Sequence, residues 1–388
     1  MNRSLMTCCV VCIDRRVNFA FDRYGLPTLQ HMAQAQSSMK ESWATIVSTT
    51  IIHRTRLTNT IMTASLYDWS RDVLLMINHF RDEMPRPLAG VGHSIGGNII
   101  INVALIHPRL FTTVILIEPI VNRHYRGMNY SPIHAIALKR DLWPSREAAT
   151  AWAKKHPFYK TFDERVLERY LQHGLRELPT LLHPKSESTS ESRAVTLATT
   201  RDHDVSAFAR RAYPKPGSPV SKSDITKSTH PDLSKTEYAL LDAPFYRPEA
   251  IMTFAQLPLL RPSCLYVHGD QSTFSSGTPM AQADKLSITG TAVGGSGGYA
   301  EGGVKNVILK STGHFSAFEQ PAEVAAAVAP WLEAQFSNWE ESEQDPEWEA
   351  KGIRERSMLD EAWLYWAQEH CAPDKTSQPE GSAAKAKL

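Results

Sequence analysis

Gly92-His93-Ser94-Ile95-Gly96 is the segment of this 388-residue chain whose residue types and spacing most directly suit covalent chemistry. A serine with a glycine two positions away on either side, between a strand-like run and a helix-like one, suits a nucleophile held on a sharp turn. Gly92 and Gly96 are small because such a turn crowds the neighbouring chain. The backbone N–H of Ile95, at the helix start, would face an oxyanion developing on the attacked carbonyl. A serine hydroxyl needs a base to take its proton. Of the 15 histidines, His314 in Gly313-His314 is the one placed just after a late strand and just before a late helix. It is the candidate general base. His93, next to the nucleophile, is expected to shape the pocket or to pack under the turn.

The third member of such a set is an acid that holds the imidazole in one tautomer and stabilises the imidazolium, so it must end a strand beside the histidine. Two carboxylates qualify. Glu118 closes the apolar run Thr112 to Ile117, directly before Pro119, and Asp270 follows Cys264 to His268 in Gly269-Asp270-Gln271-Ser272. The commoner pattern puts the acid three residues past that glycine, where this chain has Ser272. Glu118 is preferred and Asp270 stays open.

These residues need a scaffold. Trp69, Val73, Met76, Ile77 and Phe80 make one apolar stripe at helical spacing, with Asp68 as its N-cap and Pro85 and Pro87 beyond its end. A strand over Leu88 to Val91, a buried helix over Asn98 to His107 and a strand over Thr112 to Ile117 form a βαβ unit. From about residue 121 to 255 the alternation breaks. That stretch holds helical segments at Arg146 to Lys155 and Glu164 to Leu175, and a polar tract at 184–235 expected to be a mobile loop. Alternation resumes with strands at Cys264 to His268 and Val304 to Lys310 and a helix at Ala322 to Phe336, opened by Pro321. Gly294-Gly295-Ser296-Gly297-Gly298 reads as a flexible loop without the Lys-Ser/Thr or following helix of a phosphate cradle.

The resulting division is 1–66, a poorly legible N-terminal part of the core with possible strands at Ile46 to Ile52 and Thr58 to Thr63; 67–120, core with the serine turn; 121–255, an insertion; 256–336, core again; and 337–388, an acidic helical segment and polar tail. Trp363 and Trp366 lie on a short helix in that last part, which docks on the core or on a partner, the core being the preferred reading.

Composition excludes several classes. With 42 Lys+Arg against 41 Asp+Glu the formal net charge is +1, which argues against a basic nucleic-acid binder. Hydrophobic residues at 42% are enough for a large core. Five scattered cysteines do not make a disulfide framework, and Cys9-x-x-Cys12 lacks the second ligand pair that structural zinc wants. The first residues carry an apolar stretch that Asp14-Arg15-Arg16 closes too early for a secretory leader. No run approaches the ~18–20 apolar residues needed to span a bilayer, so the chain reads as soluble.

The segment PLAGVGHSIGGNIIINVALIHPRLFTTVILIEPI, Pro87 to Ile120, resembles the core of the α/β-hydrolase superfamily. The span from Asp68 to Phe336 is similar to a fungal subgroup of it that includes enzymes of host-selective toxin biosynthesis, of the AK-toxin and AF-toxin type, from Alternaria. The serine turn, DAPFYRPEAI, SITGTAVGGSGG and the last three residues carry that likeness. The resemblance implies an α/β fold, a mostly parallel sheet with helices on both faces and a helical cap formed by the insertion. It also implies the chain order serine, acid, histidine. The position of Glu118 carries the acid in the haloalkane dehalogenase branch. That branch and the epoxide hydrolases have Asp as nucleophile, so Ser94 points instead to an ester or thioester of an acyl or polyketide-like small molecule. No metal or organic cofactor is called for.

Relatives have a glycine-bearing oxyanion loop upstream, whereas here Gly25 is the only glycine before Gly90, which leaves the second oxyanion donor unassigned. That gap keeps open a catalytically weak or inactive acyl-binding or scaffold protein; acyl transfer to an alcohol is a further alternative. Ala386-Lys387-Leu388 is a conservative variant of the Ser-Lys-Leu signal, so the peroxisome and its import receptor are the expected destination and partner.

Overall fold

A computed structural model describes residues 10–14, 65–81, 84, 86–123, 133–184, 193–208, 210–211, 245–272, 278–343 and 345–371. The chain divides into two compact units, residues 1–337 and 338–388.

The larger unit is built on a five-stranded sheet. Strands β1 (Val10–Asp14), β2 (Leu88–His93), β3 (Thr113–Ile117), β9 (Ser263–Gly269) and β10 (Val304–Leu309) lie side by side in that order. The last four are parallel, and β1 runs antiparallel to β2. The central strands are buried along nearly their whole length because both faces are covered. Successive residues of β3 show this directly. Val114 and Leu116 pack with helices α1 (Leu66–His79) and α2 (Ile95–Ile106), whereas Ile115 and Ile117 pack with Val324, Trp331, Leu332 and Phe336 of helix α10 (Pro321–Ser342). A strand whose side chains alternate faces therefore feeds two separate hydrophobic layers.

Helix α1 starts earlier than its periodicity suggests. Ser65 is the N-cap, and Asp68 sits three residues in, returning a hydrogen bond to the Ser65 N–H to complete a capping box. A capping box uses both residues, so Asp68, expected as the cap, is its inner member. Strand β2 extends two residues past Val91 and α2 begins at Ile95, so the serine falls directly between them. The strand at Val10–Asp14 was not anticipated. The possible strands at 46–52 and 58–63 lie outside the described residues.

Between β3 and β9 the chain leaves the sheet. Helices α3 (Ile133–Ala137), α4 (Arg146–Lys155), α5 (Glu164–His173) and α6 (Arg201–Phe208) surround a small antiparallel sheet of β4 (Leu142–Trp143), β6 (Val195–Leu197) and β5 (Leu175–Glu177). A two-stranded ribbon, β7 (Arg210–Arg211) with β8 (Phe245–Tyr246), and helix α7 (Glu249–Gln256) lead back to β9, and helix α8 (Pro279–Ile288) precedes β10. The polar tract is thus partly ordered, because Val195 and Leu197 are buried against the apolar faces of α4 and α5. The same cluster takes in Phe315 and Phe318, from the turn after β10 and from helix α9 (Ser316–Glu319), so the insertion packs directly on the segment that carries His314.

The glycine-rich loop is a compact, hydrogen-bonded turn. Backbone hydrogen bonds from Ser296 to Leu260 (3.0 Å), Gly297 to Gly290 (3.0 Å) and Gly295 to Ala292 (2.9 Å) pin it. Its glycines supply the positive φ that such a compact turn requires, at Gly294 (83°), Gly297 (87°) and Gly298 (69°).

The smaller unit holds the last turn of α10 and helices α11 (Pro346–Ala350), α12 (Ile353–Arg356) and α13 (Glu361–Cys371). Trp363 and Trp366 are not buried among the helices of this unit. The Trp366 ring stacks on His370 one turn later, with centroids 4.9 Å apart. Among the described residues no helix is long and apolar enough to cross a membrane, and no group of three or more His, Cys, Asp or Glu side chains could hold a metal ion.

Candidate active site

Ser94 occupies the one-residue junction between β2 and α2 at φ 56°, ψ −121°. A non-glycine residue with positive φ costs of order 1–2 kcal/mol and persists only where its surroundings impose it. Here they do. The Ser94 N–H donates to Ile117 O at 2.9 Å, and its carbonyl accepts from Gly97 N at 3.1 Å and Ile120 N at 2.9 Å. The chain doubles back so tightly that a Cβ on Gly92 would lie 2.4 Å from the carbonyl oxygen of Gly96. A Cβ on Gly97 would lie 2.7 Å from Pro119 Cβ. The crowding anticipated at Gly92 is real. Gly96 provides the backbone it abuts, and Gly97 proves to be the second crowded position. Ile95 is the first residue of α2, where helix N–H groups have no acceptor within the helix.

Two other strand ends converge on this turn. His314, 1% exposed, follows β10, and its Nε2 lies 2.9 Å from Ser94 Oγ. Its Nδ1 lies 3.2 Å from Glu118 Oε2. Glu118 is fully buried at the end of β3, held at φ 48° with its N–H on Val267 O at 2.9 Å. Its carboxylate is saturated with donors. Gly269 N–H reaches Oε1 at 2.7 Å, and Ser272 O–H reaches Oε2 at 2.6 Å beside the imidazole. With the carboxylate as acceptor the imidazole carries its proton on Nδ1, which leaves the Nε2 lone pair facing the serine hydroxyl. Burial pushes the Glu118 pKa up, but the hydrogen bonds from His314 and Ser272 and the charge of His314 outweigh it and hold it down at about 2.

Asp270 lies elsewhere. Its backbone N–H donates to Leu309 O at 3.0 Å and its carboxylate lies 4.0 Å from Lys310 Nζ, away from the imidazole. The reason lies one residue earlier. The Gly269 N–H at the end of β9 is spent on Glu118, and a Cβ on Gly269 would lie 2.4 Å from Thr312 O. β9 therefore abuts the histidine loop through backbone, and Asp270 projects beyond it. Ser272 and the Gly269 N–H, both donors to Glu118, are not among the residues singled out in the sequence. The signal was present, since Ser272 stands where the commoner pattern has its carboxylate.

His93 is 6% exposed, its Nε2 2.8 Å from the carbonyl oxygen of His314. Its ring packs against Phe318 and Phe315, with centroids 5.5 and 6.0 Å away. Burial, then the nearby His314, pulls its pKa down to about 3. Residues 386–388 lie outside the described residues.

Comparison with known proteins places this geometry. The type I acyl-CoA thioesterase mpaH of Penicillium roqueforti is 37% identical over 316 residues, 78% of this chain and 71% of the relative. Its namesake from Penicillium brevicompactum is 35% identical over 317 residues, with the same coverage of both chains. The abhydrolase domain-containing protein ACTT2-2 of Alternaria alternata is 25% identical over 289 residues, 74% of this chain and 99% of that protein. Among solved structures the peroxisomal α/β-hydrolase Lpx1 of Saccharomyces cerevisiae shares the fold, with a TM-score of 0.50 at 14% identity over 80% of this chain and 71% of that one. The sequence pattern of the alpha/beta hydrolase family matches residues 7–328, a span that carries the sheet, the serine turn and the histidine loop, and the chain belongs to that family.

Proposed function

We propose that this protein is a serine-dependent hydrolase of acyl thioesters, with Ser94 as nucleophile, His314 as general base and Glu118 as the acid that orients it. The observation that carries the reading is the relay of 2.9 Å from Ser94 Oγ to His314 Nε2 and 3.2 Å from His314 Nδ1 to Glu118 Oε2. In the reaction Ser94 Oγ attacks the acyl carbonyl as its proton passes to His314 Nε2. The imidazolium formed is stabilised by the Glu118 carboxylate, with Ile95 N–H as one donor to the oxyanion. The imidazolium returns its proton to the departing thiolate. Water, activated by the same imidazole, then releases the acyl group from the serine.

Relatives named acyl-CoA thioesterases at 35–37% identity support a thioester, and within it a coenzyme A thioester of an acyl group. The insertion, described over 133–184 and 193–208, acts as the cap. Its aromatic cluster with Phe315 and Phe318, beside His314, supports an apolar acyl site there. The peroxisome is the proposed destination, tested by import of a reporter that ends in Ala386-Lys387-Leu388 against one ending in a scrambled tripeptide.

The test of the activity pairs fluorophosphonate labelling with release of free thiol from acyl-CoA substrates. Wild-type protein should label and turn over, and Ser94→Ala and His314→Ala should do neither. A folded wild-type protein that neither labels nor hydrolyses any thioester overturns the reading.

A further inference from the structure

We propose that His93 is a positioning residue that holds the main chain of the base, so that two consecutive residues of one strand end fix His314 at two points. The inference rests on the reading of His314 as general base. Its geometric basis is a double grip. His93 Nε2–H donates to the His314 carbonyl at 2.8 Å, while Ser94 Oγ lies 2.9 Å from the His314 ring.

The two grips differ in what they constrain. Glu118 and Ser94 hold the imidazole, yet a ring can turn about its own χ angles while its backbone drifts. The backbone here is a connection, not a sheet strand. β10 ends at Leu309, Ser311 sits at φ 56°, and α9 begins only at Ser316. The carbonyls of Phe315 and Ser316 accept the amides of Glu319, in α9, and of Gln320, just past its end, whereas that of His314 accepts from His93. His93 itself cannot drift, because it pairs in register with Ile117 in the middle of the parallel sheet. The strand that presents the nucleophile thus also sets where the base begins.

The grip needs an uncharged ring. Burial and the neighbouring His314 hold the His93 pKa at about 3, so near neutrality it carries one N–H, committed to that carbonyl. Phe315 and Phe318 close the site around it. A base displaced by a fraction of an ångström loses attack geometry without losing substrate contacts, and displacements near 1 Å cost about 10²-fold in rate.

The experiment compares His93→Gln, whose side-chain amide retains an N–H donor, with His93→Met, which is similar in length and has none; His93→Phe repeats the donor-free arm with a ring. Each variant is assayed for kcat, KM, fluorophosphonate labelling rate and thermal midpoint. The expected result is kcat and labelling about 10–100-fold down in the donor-free variants with KM within about twofold, and at least a tenfold recovery of kcat in the Gln variant over the Met variant. Equal kcat in Gln and Met variants, whether both match wild type or both fall together, overturns the inference, since packing alone would then explain the site. Wild-type protein that does not label or turn over would instead reject the hydrolase reading itself.

Discussion

Replacing Glu118 by Gln distinguishes a triad acid from a buried structural carboxylate, and the hydrogen-bond arrangement specifies the outcome. The native carboxylate receives the Gly269 N–H on Oε1 at 2.7 Å and both Ser272 O–H and His314 Nδ1–H on Oε2. An amide has one acceptor oxygen. The backbone N–H of Gly269 cannot reverse its polarity, so the oxygen must face it and the NH₂ must face Ser272 and His314. Ser272 can rotate to accept. His314 can accept only by giving up its Nδ1 proton, which places a proton on Nε2, against the serine hydroxyl it should deprotonate. Such a tautomer inversion is worth about 10⁴ in turnover, or roughly 5 kcal/mol of transition-state stabilisation.

The expected result is a folded Glu118→Gln protein with kcat for thioester hydrolysis down about 10⁴-fold, beside an Asp270→Asn protein within about twofold of wild type in the same thiol-release assay. Glu118→Gln within tenfold of wild type, or Asp270→Asn down a thousandfold, would refute the assignment. A stability signature accompanies it. Glu118 is held at about 2, against an ordinary value of 4.5. A depressed carboxylate stabilises the fold fully above its unfolded-state value and loses that contribution as pH falls towards its folded-state value, here from about 4.5 down to about 2, for a total of order 3 kcal/mol. Urea midpoints should therefore fall more steeply between pH 5 and pH 3 in wild type than in Glu118→Gln, and parallel curves would contradict the ionised buried carboxylate.

Ser272→Ala removes the 2.6 Å hydroxyl donor to Glu118 Oε2; kcat should fall about tenfold at unchanged KM, as expected for one hydrogen bond to a charged group, and an unchanged kcat would show that Ser272 plays no part. Gly92→Ala drives a Cβ to 2.4 Å from the Gly96 carbonyl oxygen, a backbone atom that cannot yield. Chemical denaturation should report a loss of about 3 kcal/mol or more, and a loss below 1 kcal/mol would mean that the turn relaxes freely. Glu249 is fully buried, accepting from Ser65 Oγ at 2.8 Å, Leu66 N–H at 3.2 Å and Arg247 Nη1 at 3.2 Å. Glu249→Ala removes the shared acceptor of these buried donors and should cost about 1–3 kcal/mol in urea unfolding, whereas no measurable cost would mean that the start of α1 does not depend on it.

The parts of the site legible in the sequence are those set by neighbours along the chain. Ser94 is marked by its glycines because the turn is local, and the clash a Cβ on Gly92 would meet comes from Gly96 only four residues on. The β2–α2–β3 unit is legible for the same reason, since a buried parallel strand and a buried helix leave continuous apolar runs of different length. His314 could be picked from 15 histidines because a strand and a helix flank it closely. Where local signals overlapped, the boundaries slipped, as at Ser65 and Asp68, which share one capping box.

Along the chain Glu118 is preferred over Asp270 but Asp270 is not eliminated. Both end a buried strand, and both are carboxylates of the right kind. Tertiary structure separates them because β3 lies between β2 and β9 in the sheet. Glu118 therefore emerges beside Ser94 with the end of β9 against it, and the Gly269 N–H and Ser272 hydroxyl of that neighbour are turned to donors for its charge. The ordering of Val195 and Leu197 within a polar tract is equally non-local, because two apolar residues among serines and lysines become buried only when α4 and α5 are there to cover them. Sequence determined which side chains could react and the local turn that carries one of them. Strand order decided which charge stands behind the imidazole, because hydrogen-bond donors and acceptors meet only when sheet pairing brings distant strand ends within 3 Å.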